Sequence, residues 1–203
     1  MTVLDDRTAT AEQSDERTLD MMFEWLEPTP EGHKVEIVRG AVHMSPQRDN
    51  RWDIILDIVE QLRARYSRQR VKSDVRIDYP GRLNGFASDV VALKDGAVKD
   101  GKGRWRHQDV EFVAEVISKD TAVNDYGPKR ETYAAAGVPV YLIVDPYTGE
   151  WHLHTLPKDG EYRSNLTLGF GDPVDLTRTP VGLKLTTDEF PREGGEAAVT
   201  AGP

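Results

Sequence analysis

Three charged residues stand inside or beside apolar segments, where soluble proteins seldom place charge. Glu115 interrupts the apolar run "EFVAEVIS", Asp89 begins "DVVAL", and Lys129 follows Pro128 at the start of a segment with helical composition. An ionised carboxylate removed from water is strongly destabilising unless it is paired, protonated or bound to a metal. Glu115 therefore needs a partner, and the nature of that partner decides what the site can do.

Together, these residue types describe a site that could cleave phosphodiesters. Two carboxylates at the ends of adjacent strands form a hard oxygen site of the kind Mg²⁺ prefers, with water and substrate phosphate as its other ligands. Such an ion lowers the pKa of a bound water and neutralises charge that develops on phosphate. A nearby lysine can position or deprotonate the attacking water, or stabilise the pentavalent phosphate. The pattern predicts a Mg²⁺-dependent hydrolase, with Mn²⁺ as the alternative ion.

Each of these residues also has a purely structural interpretation. Asp89 could cap the start of a strand, and Glu115 could pair with Lys129 or an arginine without any catalysis. Lys129 could instead be an ordinary surface lysine, in which case Lys119, just after the strand of Glu115, is the rival catalytic lysine. These alternatives stay open from the sequence.

Composition narrows the class of protein. The 203 residues include no cysteine, which excludes disulfides, thiol nucleophiles and cysteine-ligated metals, so any metal must sit on oxygen or imidazole. His152 and His154 alternate along one segment, a pattern more typical of a polar strand face than of a metal site. The N-terminus lacks the features of a secretory signal, and no apolar run is long enough to span a bilayer. We therefore expect a cytoplasmic protein with no membrane partner.

The charge distribution allows a nucleic-acid partner in spite of a net charge of −9. Residues 1–31 contribute −7 and residues 186–203 contribute −3, which leaves +1 for the segment between them. Within that segment, residues 62–82 hold seven basic and two acidic side chains. This stretch could form a phosphate-binding face, or equally a solvated helix end followed by an edge strand.

The elements that must position the charged residues follow from the apolar pattern. A tight hairpin is predicted at Arg39–Gly40, and a long amphipathic helix after it. Its predicted buried face consists of Trp52, Ile55, Ile58, Val59 and Leu62. A helix from Pro128 to Ala136, capped by Gly137, lies between two apolar strands, which predicts a parallel pair. We expect a disordered acidic tail at 1–17, a single domain at 18–190 and a flexible tail at 191–203.

The order of "VEIVRGAVHMSP", "SDVVAL" and "EFVAEVISKDTAVNDYGPKRETYAAAGVPVYLIVD" resembles the large bacterial family of putative restriction endonucleases, within the PD-(D/E)XK nuclease superfamily. The resemblance spans residues 18–190 and implies a mixed α/β fold, a restriction-endonuclease-like core with a mixed β-sheet flanked by helices. It implies that Asp89 and Glu115 bind the metal and that Lys129 is the catalytic lysine. Glu36 resembles the acidic residue that the family places near the same metal.

The same resemblance implies a nucleic-acid substrate, with DNA the expected one. Cleavage of both strands by a protein with one site would favour a twofold homodimer. The residues themselves do not separate DNA from RNA, and they announce no dimer interface.

Three positions depart from the pattern of the family. Ser88 stands where the superfamily has a proline, and Ile117 stands where a lysine usually follows the glutamate by two residues. Near the start of the long helix, where many relatives have a histidine, the chain has Asn50 and Arg51. These departures leave open a non-catalytic DNA-binding or regulatory module with this fold. The modest charge of residues 32–185 leaves open a hydrolase of small phosphodiesters.

Overall fold

The computed structural model describes residues 4–46, 49–119 and 121–193. In chain order the strands are β1 (His33–Val38), β2 (Ala41–Pro46), β3 (Val71–Lys72), β4 (Val75–Tyr79), β5 (Asn84–Ser88), β6 (Val90–Leu93), β7 (Trp105–Arg106), β8 (Val110–Val116), β9 (Val140–Asp145), β10 (Glu150–Lys158), β11 (Glu161–Gly169), β12 (Val174–Asp175) and β13 (Lys184–Leu185). The helices are α1 (Leu4–Trp25), α2 (Asp49–Leu62), α3 (Ala122–Asn124) and α4 (Arg130–Ala135), with a 3₁₀ turn at His107–Asp109 and a π-helical turn at Asp125–Lys129.

The predicted α/β fold with mixed strand directions is confirmed, but the strands form two main sheets instead of one. The five-stranded sheet has the order β2-β1-β5-β4-β7 and the six-stranded sheet the order β11-β10-β9-β8-β6-β3, while β12 and β13 pair separately. β8 and β9 are parallel, as the strand–helix–strand pattern predicts. β1 and β2 form the predicted hairpin, and both turn residues, Arg39 and Gly40, have positive φ.

One stretch of chain links the two main sheets. β5 pairs with β1 and β4 in the five-stranded sheet, whereas β6 pairs with β8 and β3 in the six-stranded sheet. Only Asp89 separates β5 from β6, and it lies at the bend between them. A side chain at this bend lies close to both sheets, which places Asp89 where elements of each can contact it.

The six-stranded sheet is covered on both faces. Ile54, Ile58 and Leu62 of α2 pack on one face, together with Phe112 and Ala114 of β8. A second apolar cluster, which includes α4 and residues of the five-stranded sheet, lies on the opposite side. Because successive strand residues point to opposite faces, Glu115 faces this second side.

The buried face predicted for the long helix is partly wrong. Trp52 is 51% exposed, whereas Ile54 is fully buried. At 100° per residue, Ile54, Ile55, Ile58 and Leu62 form one continuous stripe, and Trp52 lies well to the side of it. Arg51 lies near the middle of that stripe and is buried, which places a cation on the core-facing side of the helix.

The helix that carries Lys129 begins earlier than predicted. Its helical backbone starts at Ala122, and Pro128 lies within the π-helical turn instead of at the first helical position. A widened turn is one way in which a helix accommodates proline, which has no N–H to donate. Gly137 follows α4 with φ 73°, so the predicted left-handed cap is confirmed.

The N-terminal segment also differs from its prediction. Residues 4–17, expected to form a disordered tail, belong to the 22-residue helix α1, which crosses the predicted domain boundary at 18. Acidic residues of α1 pair with distant cations: Glu16 with Lys102, and Asp20 with Arg104. Residues 1–3 lie outside the described residues, as do 194–203 of the predicted C-terminal tail. None of the helices in the described part of the chain is long and apolar enough to cross a membrane.

Candidate active site

The four residues that the sequence singles out meet in one buried cluster between the two main sheets. Glu36 comes from β1, Asp89 from the bend after β5, Glu115 from β8 and Lys129 from the π-helical turn. None of them is more than 6% exposed. Their proximity is a property of the structure, whereas their catalytic and metal-binding roles stay predictions.

Lys129 pairs with three carboxylates at once. Its Nζ atom lies 2.8 Å from Glu115 Oε1, 3.0 Å from Glu36 Oε2 and 3.0 Å from Asp125 Oδ1. Burial alone would lower the pKa of Lys129, but Asp125, Glu115 and Glu36 raise it well above its usual value. The ammonium is therefore charged, and the interpretation of Lys129 as a surface lysine is wrong.

Lys119, the rival lysine, lies elsewhere. It is exposed, and its Nζ atom is 5.0 Å from the centre of the Tyr147 ring. The geometry therefore favours Lys129 as the lysine of the cluster.

Both carboxylate oxygens of Asp89 accept hydrogen bonds from cations or from the backbone. Lys34 Nζ lies 2.8 Å from Oδ1, and Arg51 Nη2 donates to both oxygens at 2.9 and 2.8 Å. The N–H of Val116 donates to Oδ2 at 2.8 Å. Burial would raise the pKa of Asp89, but Lys34 and Arg51 hold it well below its usual value. Asp89 is thus an ionised carboxylate fixed by two cations and a strand backbone.

Backbone and phenol donors orient the two glutamates. The N–H of Ala87 donates to Glu36 Oε1 at 3.0 Å, and the hydroxyl of Tyr133 donates to Glu115 Oε1 at 2.8 Å. Burial would raise the pKa of Glu36, but Lys129 and Lys34 lower it. Both side chains are held by contacts that the strands and α4 impose, so neither is free to rotate without losing hydrogen bonds.

The sequence reasoning missed three members of the cluster: Lys34, Arg51 and Asp125. Each had a local signal. Lys34 precedes Glu36 by two residues on β1, so both side chains lie on the same face. Arg51 lies one turn before Ile54 and Ile55 on α2, and Asp125 lies four residues before Lys129.

The cluster balances its charges when one acid is protonated. Lys34, Arg51 and Lys129 supply three positive charges against four carboxylates. Burial raises the pKa of Asp125 to about 7, with Lys129 opposing the shift and Glu115 adding to it. Asp125 is therefore the carboxyl group that is neutral below neutral pH, whereas the neighbouring cations keep Glu36 and Asp89 ionised.

The donor chemistry fits Mg²⁺, but the arrangement does not yet form a coordination site. Glu36, Asp89 and Glu115 surround one point, and carboxylate oxygens are the hard ligands that Mg²⁺ prefers. Among the described residues, however, no three acidic, histidine or cysteine side chains are grouped so that they could hold a metal ion. The reason is visible in the contacts: Lys34 stands between the carboxylates, and Arg51 engages both oxygens of Asp89.

The other candidate residues have structural surroundings. His152 contacts Tyr126 and Thr167, and His154 contacts Asn165 and stacks on Tyr141. These polar and aromatic contacts explain the alternating pair without a metal.

Asp145 shapes the turn after β9. Its Oδ1 atom accepts hydrogen bonds from the N–H groups of Tyr147 and Thr148, as expected for an aspartate before proline.

The three departures from the family pattern also have clear surroundings. Ile117 packs in the apolar cluster beside α4, so no charge reaches the site from that position. Ser88 Oγ lies 2.8 Å from the hydroxyl of Tyr133 and so supports the phenol that orients Glu115. At the helix position where many relatives have a histidine, the structure places the Arg51 side chain on Asp89.

Comparison with known proteins identifies a family whose model matches the chain and a solved structure with a similar fold. The family model described as "Uma2: Putative restriction endonuclease" matches residues 19–188. A crystal structure described as a putative nuclease belonging to DUF820 from Anabaena variabilis ATCC 29413 superposes with a TM-score of 0.66 at 13% sequence identity, covering 85% of this chain and 96% of that one. At this identity the likeness shows a shared fold. No curated protein matches the sequence.

Proposed function

The chain belongs to the Uma2 family of putative restriction endonucleases, and we propose that it is a Mg²⁺-dependent endonuclease that hydrolyses phosphodiester bonds, with DNA as its substrate. The observation that supports this most directly is the convergence of Glu36, Asp89, Glu115 and Lys129 from four separate elements into one buried cluster. Buried ionisable groups whose pKa values are shifted by their neighbours are typical of functional sites.

Glu36, Asp89 and Glu115 would hold the ion. Bound there, Mg²⁺ or Mn²⁺ would activate a water and neutralise charge on the phosphate. The protein's own contribution is orientation: the N–H groups of Ala87 and Val116 fix one oxygen each of Glu36 and Asp89. Donors that are already in place need no reorganisation when the substrate binds.

Lys129 would provide the positive charge nearest to the substrate. Its ammonium lies between Glu36 and Glu115 and is kept charged by both, so it would stabilise negative charge that develops on the phosphate. A fully charged lysine is a poor base. The structure thus favours the charge-stabilising role of Lys129 over the role of deprotonating the water.

One observation favours the second candidate, a non-catalytic DNA-binding module. Glu36, Asp89 and Glu115 already pair with Lys34, Arg51 and Lys129, and all six side chains are less than 9% exposed. A site that is closed and charge-balanced in this way could be a structural network retained by a nuclease fold. Salt dependence would not separate these two candidates, but cleavage would.

The test is plasmid nicking with Mg²⁺ or Mn²⁺ by the wild type and Glu115→Gln, with metal binding measured by calorimetry on the same samples. Glu111→Gln is the matched control, since Glu111 lies on the same strand but contacts Tyr66 and Arg70 instead of the cluster. We expect nicking and metal binding to be lost together in Glu115→Gln and kept in Glu111→Gln. If the wild type cleaves neither plasmid DNA, RNA nor a small phosphodiester, the non-catalytic module is favoured.

The homodimer is the part of this proposal that follows from the expected reaction, whereas the cytoplasmic location stays a prediction from the sequence. A single cluster per chain would require two chains to cut both strands of DNA at once. Sedimentation of the protein with and without a DNA duplex would measure the number of chains that bind.

A further inference from the structure

Lys34 stands at the centre of the carboxylates that are proposed to bind the metal. Its ammonium nitrogen lies 2.8 Å from Asp89 Oδ1, 3.6 Å from Glu115 Oε2 and 3.7 Å from Glu36 Oε2. Lys34 is only 8% exposed. A lysine is almost never buried unless it is paired, and these carboxylates are its partners. Burial would lower the pKa of Lys34, but these three carboxylates raise it.

The other two cations contact the carboxylates differently. Arg51 bonds to Asp89 alone among the three, and approaches it from α2. Lys129 contacts Glu36 and Glu115, and its third partner is Asp125, which is not one of the three. Of the described cations, Lys34 is the one that contacts all three.

The same oxygens cannot serve Lys34 and a divalent ion together. Mg²⁺ holds its oxygen ligands at about 2.1 Å, much closer than the ammonium does, and it requires the space between them. Three cations already lie among the carboxylates of the cluster, so a divalent ion added beside Lys34 would bring further positive charge into a buried place. The ammonium must therefore leave for a metal to enter.

We propose that Lys34 is the resident cation of this site, and that a divalent ion binds only when the Lys34 side chain is displaced from between Glu36, Asp89 and Glu115. Lys34 thereby sets the affinity of the site for metal and holds the carboxylates in place when metal is absent. This inference rests on the proposed function, because it assigns the three carboxylates to a metal.

The test is calorimetric titration of Mn²⁺ into the full-length wild type, Lys34→Met and Arg51→Met at one pH and salt concentration. Methionine keeps most of the length of either side chain and removes its charge. Arg51→Met is the matched control, since it removes one buried positive charge from Asp89 without vacating the position between the three carboxylates. We expect Lys34→Met to bind Mn²⁺ about tenfold or more tighter than the wild type, and Arg51→Met to gain clearly less.

A second measurement covers loss of folding, because Lys34→Met leaves three carboxylates with one cation fewer. The midpoint of thermal unfolding is followed as Mn²⁺ is added, and it should rise further in Lys34→Met than in the wild type. The same experiment with Lys34→Gln, which keeps a hydrogen-bond donor without charge, should give the same order.

The outcomes separate this inference from the proposed function. If Lys34→Met and Arg51→Met gain equally in Mn²⁺ affinity, or if neither gains, the proposed role of Lys34 is overturned. Nicking that depends on Glu115 would in that case still support a metal nuclease. If neither the wild type nor any variant binds Mn²⁺ in either measurement, the inference and the metal-dependent function both fail.

Discussion

Lys129 is the residue on which the catalytic assignment depends most. Replacing it with methionine leaves Glu36, Glu115 and Asp125 without their shared partner, and breaking a buried ion pair costs about 3–5 kcal/mol. We expect Lys129→Met to lower the free energy of unfolding by about that amount, to abolish nicking and to retain Mn²⁺ binding. Urea unfolding, nicking and calorimetry measure the three effects.

Lys119→Met is the matched control for this prediction. Lys119 is exposed, and surface substitutions usually change stability by less than about 0.5 kcal/mol. The variant should therefore keep both its stability and its activity. Loss of nicking in Lys119→Met together with retained nicking in Lys129→Met would refute the assignment.

Asp125 should make the stability of the protein depend on pH. Its folded pKa is raised from 3.8 to about 7, so the native state keeps a proton that the unfolded chain has already lost. The stabilisation that comes from the protonated form is complete below pH 4 and is lost as the pH rises toward 7. Asp125→Asn cannot ionise. Its stability relative to the wild type should therefore increase by about 1.4 kcal/mol per pH unit between pH 5 and 6.5.

This effect is measured by urea unfolding of both proteins at several pH values. Asp159→Asn, at an exposed turn, controls for the substitution itself. A stability difference between Asp125→Asn and the wild type that stays constant from pH 5 to 7 would contradict the assignment of the neutral acid.

At the scale of elements, ion pairs connect α1 to the rest of the fold. Asp20 pairs with Arg76 at 2.8 Å and with Arg104 at 2.5 Å, and Arg76 also lies over the ring of Phe23. Replacing Asp20 with asparagine should loosen this helix and leave the sheets intact. We expect faster amide hydrogen exchange in α1 and unchanged exchange in β8 and β9.

Glu24→Gln is the control for α1, because Glu24 is an exposed glutamate of the same helix. Equal exchange in both variants would mean that the pairs of Asp20 do not hold the helix. We do not expect either variant to slow amide hydrogen exchange in α1 or in the sheets, because both substitutions only remove charge.

Two irregular elements place the charged side chains. The bend at Asp89 turns its carboxylate toward α2 and β8, and the π-helical turn presents Asp125 and Lys129 on the same side. A regular strand through position 89 would point the Asp89 side chain in a different direction. Local irregularities of this kind often coincide with functional sites, which is consistent with the proposed function.

At the scale of the whole molecule, the basic residues of the segment 62–82 include some that are paired with carboxylates and some that are exposed. Arg76 is neutralised by Asp20 and Asp78, whereas Arg63, Arg65 and Arg68 are exposed after the end of α2. Arg63 lies about 18 Å along the helix axis from Arg51, given a rise of about 1.5 Å per residue. These three arginines are too far away to contact a phosphate at the cluster, but they could contact DNA that extends from it.

We expect the triple substitution of Arg63, Arg65 and Arg68 by glutamine to reduce the slope of log affinity for DNA against log salt by about 2–3. Turnover at saturating DNA should stay the same. Arg163→Gln is the control, because Arg163 already pairs with Asp159. An unchanged slope in the triple variant would mean that the basic stretch is an ordinary solvated surface. Fluorescence anisotropy at several salt concentrations measures the slope.

The sequence by itself determined the hairpin at Arg39–Gly40, the two strands of the parallel pair and the buried position of Glu115. These follow from periodicity and from turn chemistry, which are local properties of the chain. Periodicity also identified most of the buried face of α2, although it placed Trp52 there instead of Ile54.

Only the tertiary structure decided what faces Glu115 and Asp89. Lys34 and Asp89 are 55 residues apart and Arg51 and Asp89 are 38 apart, so no local pattern could join them. The division of the strands into two sheets and the attachment of α1 likewise depend on contacts distant in sequence. A pattern of apolar residues records which side of an element is buried, whereas the partner on that side depends on how the elements pack against one another.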